Sequence, residues 1–295
     1  MNMQMTILPP KKDINAALML YWGWTDLLQH VGMVRYYQTQ YKSISLICLS
    51  HQREFIEALY PDINLFFVSC PDGTSSNDID LLCKKLFDED YLFLNEGLPG
   101  EHGHQNCWNF EQACLRMNIQ NEIPKSSIQY KNCEILKKFN LQEKLKIKER
   151  DLNDPNFDER IGFYTLSGMD HSIAFDYFEI IRDHNAEQKK YDELVTSSEY
   201  AAIHHVDGMD VSKINYPLVY LNEKSNKIVD MIKIIENAKE VHLYDSLYGI
   251  LSYFLYFSGK LRGPKFYLHK YARMKIPKFF DYDKMNNSGD WIVLS

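Results

Sequence analysis

The chain has 295 residues, with 33 basic and 40 acidic side chains and a net charge of −7. Hydrophobic residues make up 45% and charged residues 25%, which excludes a disordered, collagen-like or coiled-coil chain. An acidic balance without a basic patch argues against nucleic acid or an anionic membrane surface as main partner. The longest apolar stretches, such as Leu247 to Phe257, are too short to span a bilayer. The first residues, Met1 to Asp13, carry no apolar segment of a signal peptide, so a cytoplasmic protein is expected.

In chain order, Ala16 to Trp22 is a strand-length apolar run, followed by a helix pattern with Leu27, Leu28, Val31, Val34 and Tyr37 on one face. Ile44 to Leu49, Ile63 to Val68 and Tyr91 to Leu94 are further strands, with helices expected over Gln52 to Tyr60 and Asp78 to Phe87. Strand–helix alternation of this kind builds a parallel sheet covered on both faces. No glycine-rich GxGxxG opens it, which disfavours a dinucleotide-binding Rossmann domain. From Gly97 to about Val195 the pattern is mainly helical, and the charged run Lys137 to Asp158 reads as an exposed linker or loop.

Strands return at Tyr200 to His204, Leu218 to Leu221, Glu240 to Tyr244 and Lys265 to Leu268, with helices over Lys227 to Ala238 and Leu247 to Phe257. A last apolar run, Trp291 to Leu294, closes the chain. The expected architecture is α/β: two Rossmann-like parallel-sheet domains facing a cleft, with a helical insertion between them. The expected division is an N-terminal domain with the helical region over 1–185 and a C-terminal domain over 186–295. The six cysteines, Cys48, Cys70, Cys83, Cys107, Cys114 and Cys133, include no CxxC pair, so reduced and mostly buried thiols are expected and no metal site.

Ligands of open parallel sheets bind beyond the carboxyl ends of the strands, so the residues after each strand are the candidates. After the first strand comes Gly23-Trp24-Thr25-Asp26, where Asp26 is either a cleft carboxylate or, with Thr25, a helix cap. After the strand at Glu240 comes Tyr244-Asp245-Ser246, suited to holding a phosphate at a helix start or, again, to capping. His204 and His205 follow another strand and must point to opposite faces. Glu96 and His102 lie in the glycine-rich loop after Leu94, which either lines a site or is surface.

Several segments, taken in order, resemble a family of GT-B-type glycosyltransferase-like proteins of giant viruses, phages and bacteria. They are the turn Gly23-Trp24-Thr25-Asp26, the run Arg182-Asp183 to Glu187 with Tyr191, the turn His204 to Gly208, and Glu236-Asn237-Ala238-Lys239-Glu240-Val241-His242 with Ser246. The first turn is also similar to the G-x-G-D turn of heptosyltransferase-like enzymes, with Thr25 in place of the second glycine. The second half is similar to the donor half of fucosyltransferases, although no arginine follows His204 and Leu247 follows Ser246.

The resemblance implies a metal-independent, inverting transferase moving a sugar from a GDP-, UDP- or dTDP-linked donor to a glycan or other hydroxyl acceptor. No cofactor beyond this co-substrate is expected, and a homodimer is an open option. Asp26 is the expected base, with Glu96 or His102 as alternatives. His204, Ser246 and Arg262 are the expected phosphate contacts, Asn222 or Tyr244 the ribose and base contacts, and His205 and Asp245 complete the expected donor-binding set. The competing expectations are a non-catalytic nucleotide- or carbohydrate-binding protein on a decayed scaffold, and a nucleotide-sugar epimerase of the same fold.

Overall fold

The computed structural model describes residues 12–20, 23–69, 77–94, 164, 169–221, 227–272 and 280–294. The N-terminal half runs β1 (Lys12–Leu20), α1 (Trp24–Gln29), α2 (Val31–Gln40), β2 (Tyr41–Leu49), α3 (Arg53–Leu59), β3 (Asn64–Val68), α4 (Asn77–Asp88) and β4 (Leu92–Leu94). After α5 (Ile173–Asp176) and α6 (His184–Leu194), the C-terminal half runs β5 (Ala201–Ile203), β6 (Leu218–Tyr220), α7 (Ile232–Asn237), β7 (Glu240–Leu243), α8 (Leu247–Phe257), β8 (Lys265–His269), α9 (Tyr282–Asn286) and β9 (Trp291–Leu294).

Two separate parallel sheets result, ordered β3-β2-β1-β4 and β6-β5-β7-β8-β9. The near-continuous apolar stretch Ala16–Leu20 is buried throughout, as a central parallel strand covered on both faces requires. In each sheet the order reverses direction once: chain progress leaves β1 toward β2 on one side and β4 on the other, and leaves β5 toward β6 and β7. These switch points are where open α/β sheets hold ligands.

The helix expected from Leu27 to Tyr37 is two helices, broken at His30. Tyr164 explains the break. Its fully buried hydroxyl donates to the Gln29 carbonyl at 2.5 Å and accepts from the Met33 N–H at 3.2 Å, meeting groups that the break leaves without helical partners. Burial holds the phenol far above its ordinary pKa. Gly32 makes the crossing of α2 and α5 possible, because a Cβ there would stand 2.6 Å from the Ile173 carbonyl oxygen and 2.7 Å from the Ala174 Cα.

Helix α8 joins the halves. Nine of its eleven residues are buried, so it is apolar on every side and must be enclosed. It packs against α1 of the other half, and Phe254 stacks on Phe175 (5.3 Å) and Phe178 (5.2 Å) of the connecting segment. One apolar cluster thus runs through both halves, and burying a side chain such as Phe254 contributes about 2 kcal/mol. Cys48 is buried. The other five cysteine side chains and the charged run Lys137 to Asp158 lie outside the described residues. No described helix is long and apolar enough to cross a membrane.

Candidate functional site

At the switch point of the C-terminal sheet, His204 follows β5 and Ser246 follows β7 by three residues. The two strands pair in parallel, and the His204 N–H donates to the His242 carbonyl at 2.9 Å, which brings the strand ends into register. Ser246 Oγ lies 2.8 Å from His204 Nδ1 and also accepts the Gly249 N–H at 3.3 Å, so Ser246 is the N-cap of α8. Oγ can accept from Gly249 and still give its own hydrogen to His204 Nδ1. In that arrangement a neutral imidazole carries its hydrogen on Nε2.

Tyr244 stacks on the His204 ring at 4.7 Å and Tyr248 meets it edge-on at 4.8 Å. His204 is 4% and Ser246 5% exposed, so both are enclosed beside the first turn of α8, where helix N–H groups favour an anion. Gly249 permits this fit, because a Cβ would stand 2.5 Å from the Tyr244 carbonyl oxygen. Asp245 is half-buried. His205 is exposed and points away from His204, against Tyr220 at 6.3 Å.

At the switch point of the N-terminal sheet, Gly23 is the N-cap of α1 and Asp26 sits in its first turn. Neither Thr25 nor Asp26 caps the helix. The Asp26 carboxylate turns back over the helix start, with Oδ2 3.1 Å from where a Gly23 Cβ would stand. It is partly exposed, beside N–H groups that favour a negative charge. The Asp26 carbonyl oxygen lies 2.7 Å from His30 Nδ1. Because α1 packs on α8, the helix bearing Asp26 touches the helix that Ser246 caps.

No family model matches the sequence, and no curated protein matches it. Among solved structures, a glycosyl transferase family 9 protein from Veillonella parvula matches with a TM-score of 0.51 at 9% identity, over 96% of this chain and 88% of that one. The fold is glycosyltransferase-like. The ADP-heptose LPS heptosyltransferase II of E. coli matches with a TM-score of 0.47 at 10% identity, over 95% of this chain and 90% of that one.

Within this glycosyltransferase-like fold, Arg262 does not join His204 and Ser246. It precedes β8, at the amino end of the sheet, because the α8 crossover returns the chain there, and its guanidinium lies 4.4 Å over the Tyr256 ring. A five-residue strand, about 17 Å, lies between that end and the strand termini where ligands bind. Glu96, His102 and Asn222 lie outside the described residues.

The segments Arg182 to Glu187 and Glu236 to His242 meet, but as structure. Arg182 forms a two-pronged bond to Glu187 (2.7 and 2.6 Å) and a third contact to Glu236 at 2.8 Å. Glu187 is fully buried. Its hydrogen bonds, with those of Glu236, hold the guanidinium pKa above its ordinary value against burial. Asp183 caps α6 through Asn185 and Ala186. A groove of about 630 Å³ also lies away from the strand ends, lined by Arg35, Asp62, Glu179 and Lys260 among others. Arg35 fills its polar demand, donating to Asp62 (2.7 and 2.8 Å), Gln38 (2.8 Å) and the carbonyls of Leu59 (3.1 Å) and Glu179 (3.0 Å).

Sequence reasoning missed a row of polar side chains on one face of β7 and β8. His242 Nε2 lies 3.2 Å from Glu240 Oε2, His242 Nδ1 lies 3.0 Å from His269 Nε2, and His269 Nδ1 lies 2.9 Å from the Tyr271 hydroxyl. Tyr267 stacks flat on His242 at 4.6 Å. Burial pushes His269 down to about 4, helped by the neighbouring His242 and opposed by Asp210. Burial also lowers His242, against the pull of Glu240. The alternation of Glu240 with His242 and of Tyr267, His269 and Tyr271 was the available signal, since alternate strand residues share a face. Among the described residues, no three His, Cys, Asp or Glu side chains are grouped to hold a metal ion.

Proposed function

We propose that the chain is a glycosyltransferase that moves a sugar from a nucleotide-sugar to a hydroxyl acceptor, with the donor on the C-terminal half (186–295) and the acceptor on the N-terminal half (1–185). The observation that carries this is the His204–Ser246 pair at the switch point beside the first turn of α8, in a glycosyltransferase-like fold. The developing charge of the departing diphosphate is met there by the N–H groups of α8 and by the Nε2–H of His204, after Tyr244 and Tyr248 give way. Asp26 takes the proton of the acceptor hydroxyl. That oxygen forms the new bond to the anomeric carbon as the bond to the diphosphate breaks. The turn Gly23 to Asp26, which resembles the G-x-G-D turn of heptosyltransferase-like enzymes, supports the same assignment.

A second reading, a nucleotide- or sugar-binding protein without turnover, is favoured by the enclosure of His204 and Ser246, which already bond to each other. Thermal shift across GDP, UDP and dTDP, followed by turnover of the cognate nucleotide-sugar, separates the two. Stabilisation with sugar transfer supports the transferase, stabilisation without transfer supports the binding protein, and no stabilisation by any of the three counts against a GDP-, UDP- or dTDP-linked donor.

A further inference from the structure

The polar row of the C-terminal sheet has one consistent direction. A carboxylate only accepts hydrogen bonds, so His242 carries its hydrogen on Nε2 and gives it to Glu240. Its Nδ1 then accepts from His269 Nε2–H, and His269 Nδ1 in turn accepts from the Tyr271 hydroxyl. The Tyr271 oxygen also accepts the Asp210 N–H at 3.2 Å. With both histidines neutral, this is the one arrangement of hydrogens that the four residues can share, and the Tyr271 hydrogen points inward.

Tyr271 is nevertheless 42% exposed, while His242 and His269 behind it are 5% and 2% exposed. It follows β8, so it stands at the carboxyl end of the sheet, two strands from β5. Strand spacing makes that about 10 Å. Its neighbour Ala272 packs on Ile203, Met209 and Tyr244, the residues around the His204 turn. Tyr271 therefore borders the proposed donor site.

An anion at Tyr271 must receive its hydroxyl hydrogen, which turns that hydrogen away from His269. Two acceptors would then face each other at 2.9 Å unless His269 Nδ1 gains a proton and donates to the Tyr271 oxygen. Nothing else in the row has to change, because His269 Nε2–H still donates to His242. A second proton has no place, since His242 Nδ1–H would confront His269 Nε2–H at 3.0 Å. The groups facing the pair are Glu240 and Tyr267 from the strands, Tyr216 beside Tyr267, Tyr271 itself, and Asp210 from the loop after β5. The Asp210 carboxylate is occupied by Ser212 and by Lys213 at 3.9 Å, and Lys270 lies over the Tyr282 ring at the rim.

We propose that Tyr271 is a contact for a phosphate-type anion and that the row behind it takes up one proton, on His269, when the anion binds. This rests on the donor site proposed above and adds to it a dependence on pH. The anion and the proton enter together, so each strengthens the other by the same factor.

The test uses the full chain with ¹⁵N-labelled histidine, whose ring shifts report tautomer and protonation, and sulfate as probe, because its charge is constant over the range. Without sulfate, both histidines should be neutral with the hydrogen on Nε2. At saturating sulfate the His269 midpoint should rise by about one pH unit or more, and sulfate should bind up to about tenfold tighter per unit of falling pH. In Tyr271→Phe the midpoint should stay where it is without sulfate. An unchanged His269 midpoint at saturating sulfate overturns the proposal, as do Nδ1–H tautomers in the resting protein. UDP-glucose and GDP-mannose are run in parallel. A response at His204 with none at His269 overturns the coupling and leaves the donor site standing. A sulfate response at His269 with no response to either nucleotide-sugar keeps the coupling and counts against those donors.

Discussion

The turn after β1 and the turn after β7 occupy equivalent places in their sheets, yet they are finished differently. The first has a glycine cap with no side-chain bond and leaves the Asp26 carboxylate partly exposed over the start of α1. The second is capped by Ser246, whose hydroxyl serves both the helix and a buried histidine. A turn of enclosed hydrogen-bonding groups suits holding a ligand of fixed charge. A carboxylate with access to solvent suits taking up a proton. The proposed function builds on this difference, with turnover given to one half and donor binding to the other.

Replacing Asp26 by Asn strikes the first turn alone. Transfer should fall about 10²- to 10⁴-fold, while the variant stays folded and nucleotide affinity stays constant. Retained transfer in the folded variant, measured by product formation, would remove Asp26 from the chemistry.

The amino end of the C-terminal sheet is the control. Arg182→Leu leaves the buried Glu187 charge without its partner, and should cost about 3–5 kcal/mol in denaturant unfolding. Asp183→Ala, which removes only a cap, should cost about 1 kcal/mol. In both, nucleotide affinity of the folded fraction should be unchanged.

Acid sharpens the contrast within the second half. His269 sits at about 4 against an ordinary value of 6.5, so the native state prefers it neutral. The stability this supplies is complete above about pH 6.5 and is lost as pH falls toward 4. The loss is up to about 3 kcal/mol, read from unfolding at each pH. His269→Gln should flatten that slope. A smaller effect than the acid loss is expected at the second turn itself. Ser246→Ala should cost about 1–2 kcal/mol of stability through the lost cap and the lost bond to His204. Because the two side chains bond directly, a cycle with His204→Ala should be non-additive by about 0.5 kcal/mol or more.

Much of the fold is readable in the sequence because it rests on local pattern. Leu247 to Phe257 and Trp291 to Leu294 match α8 and β9 end to end, and the apolar runs near Ile44, Ile63 and Tyr91 locate β2, β3 and β4 within a few residues. What was not readable depends on distant partners. The break at His30 is completed by Tyr164, more than a hundred residues away, and leaves no mark in the periodicity around it. The segment Lys227 to Ala238 begins as a 3-10 turn, Ile228–Met231, before α7.

The candidate site divides the same way. That His204 and Ser246 follow strands is visible in sequence, but their bond needs the β5–β7 register. Arg262 stands equally near a strand in sequence, and only the crossover direction shows it to be at the wrong end. Arg182 and Glu187 look like motif residues because an ion pair to a buried carboxylate constrains residue type as strongly as chemistry does.

The most direct test is a crystal of the protein soaked with a stabilising nucleoside diphosphate. The diphosphate should lie against the first turn of α8 with an oxygen within about 3 Å of His204 Nε2, and the Tyr244 and Tyr248 rings should have moved aside. A diphosphate bound in the groove beside Arg35, or at the amino end of the sheet by Arg262, would show that the paired strand-end turn is packing and that the donor site lies elsewhere.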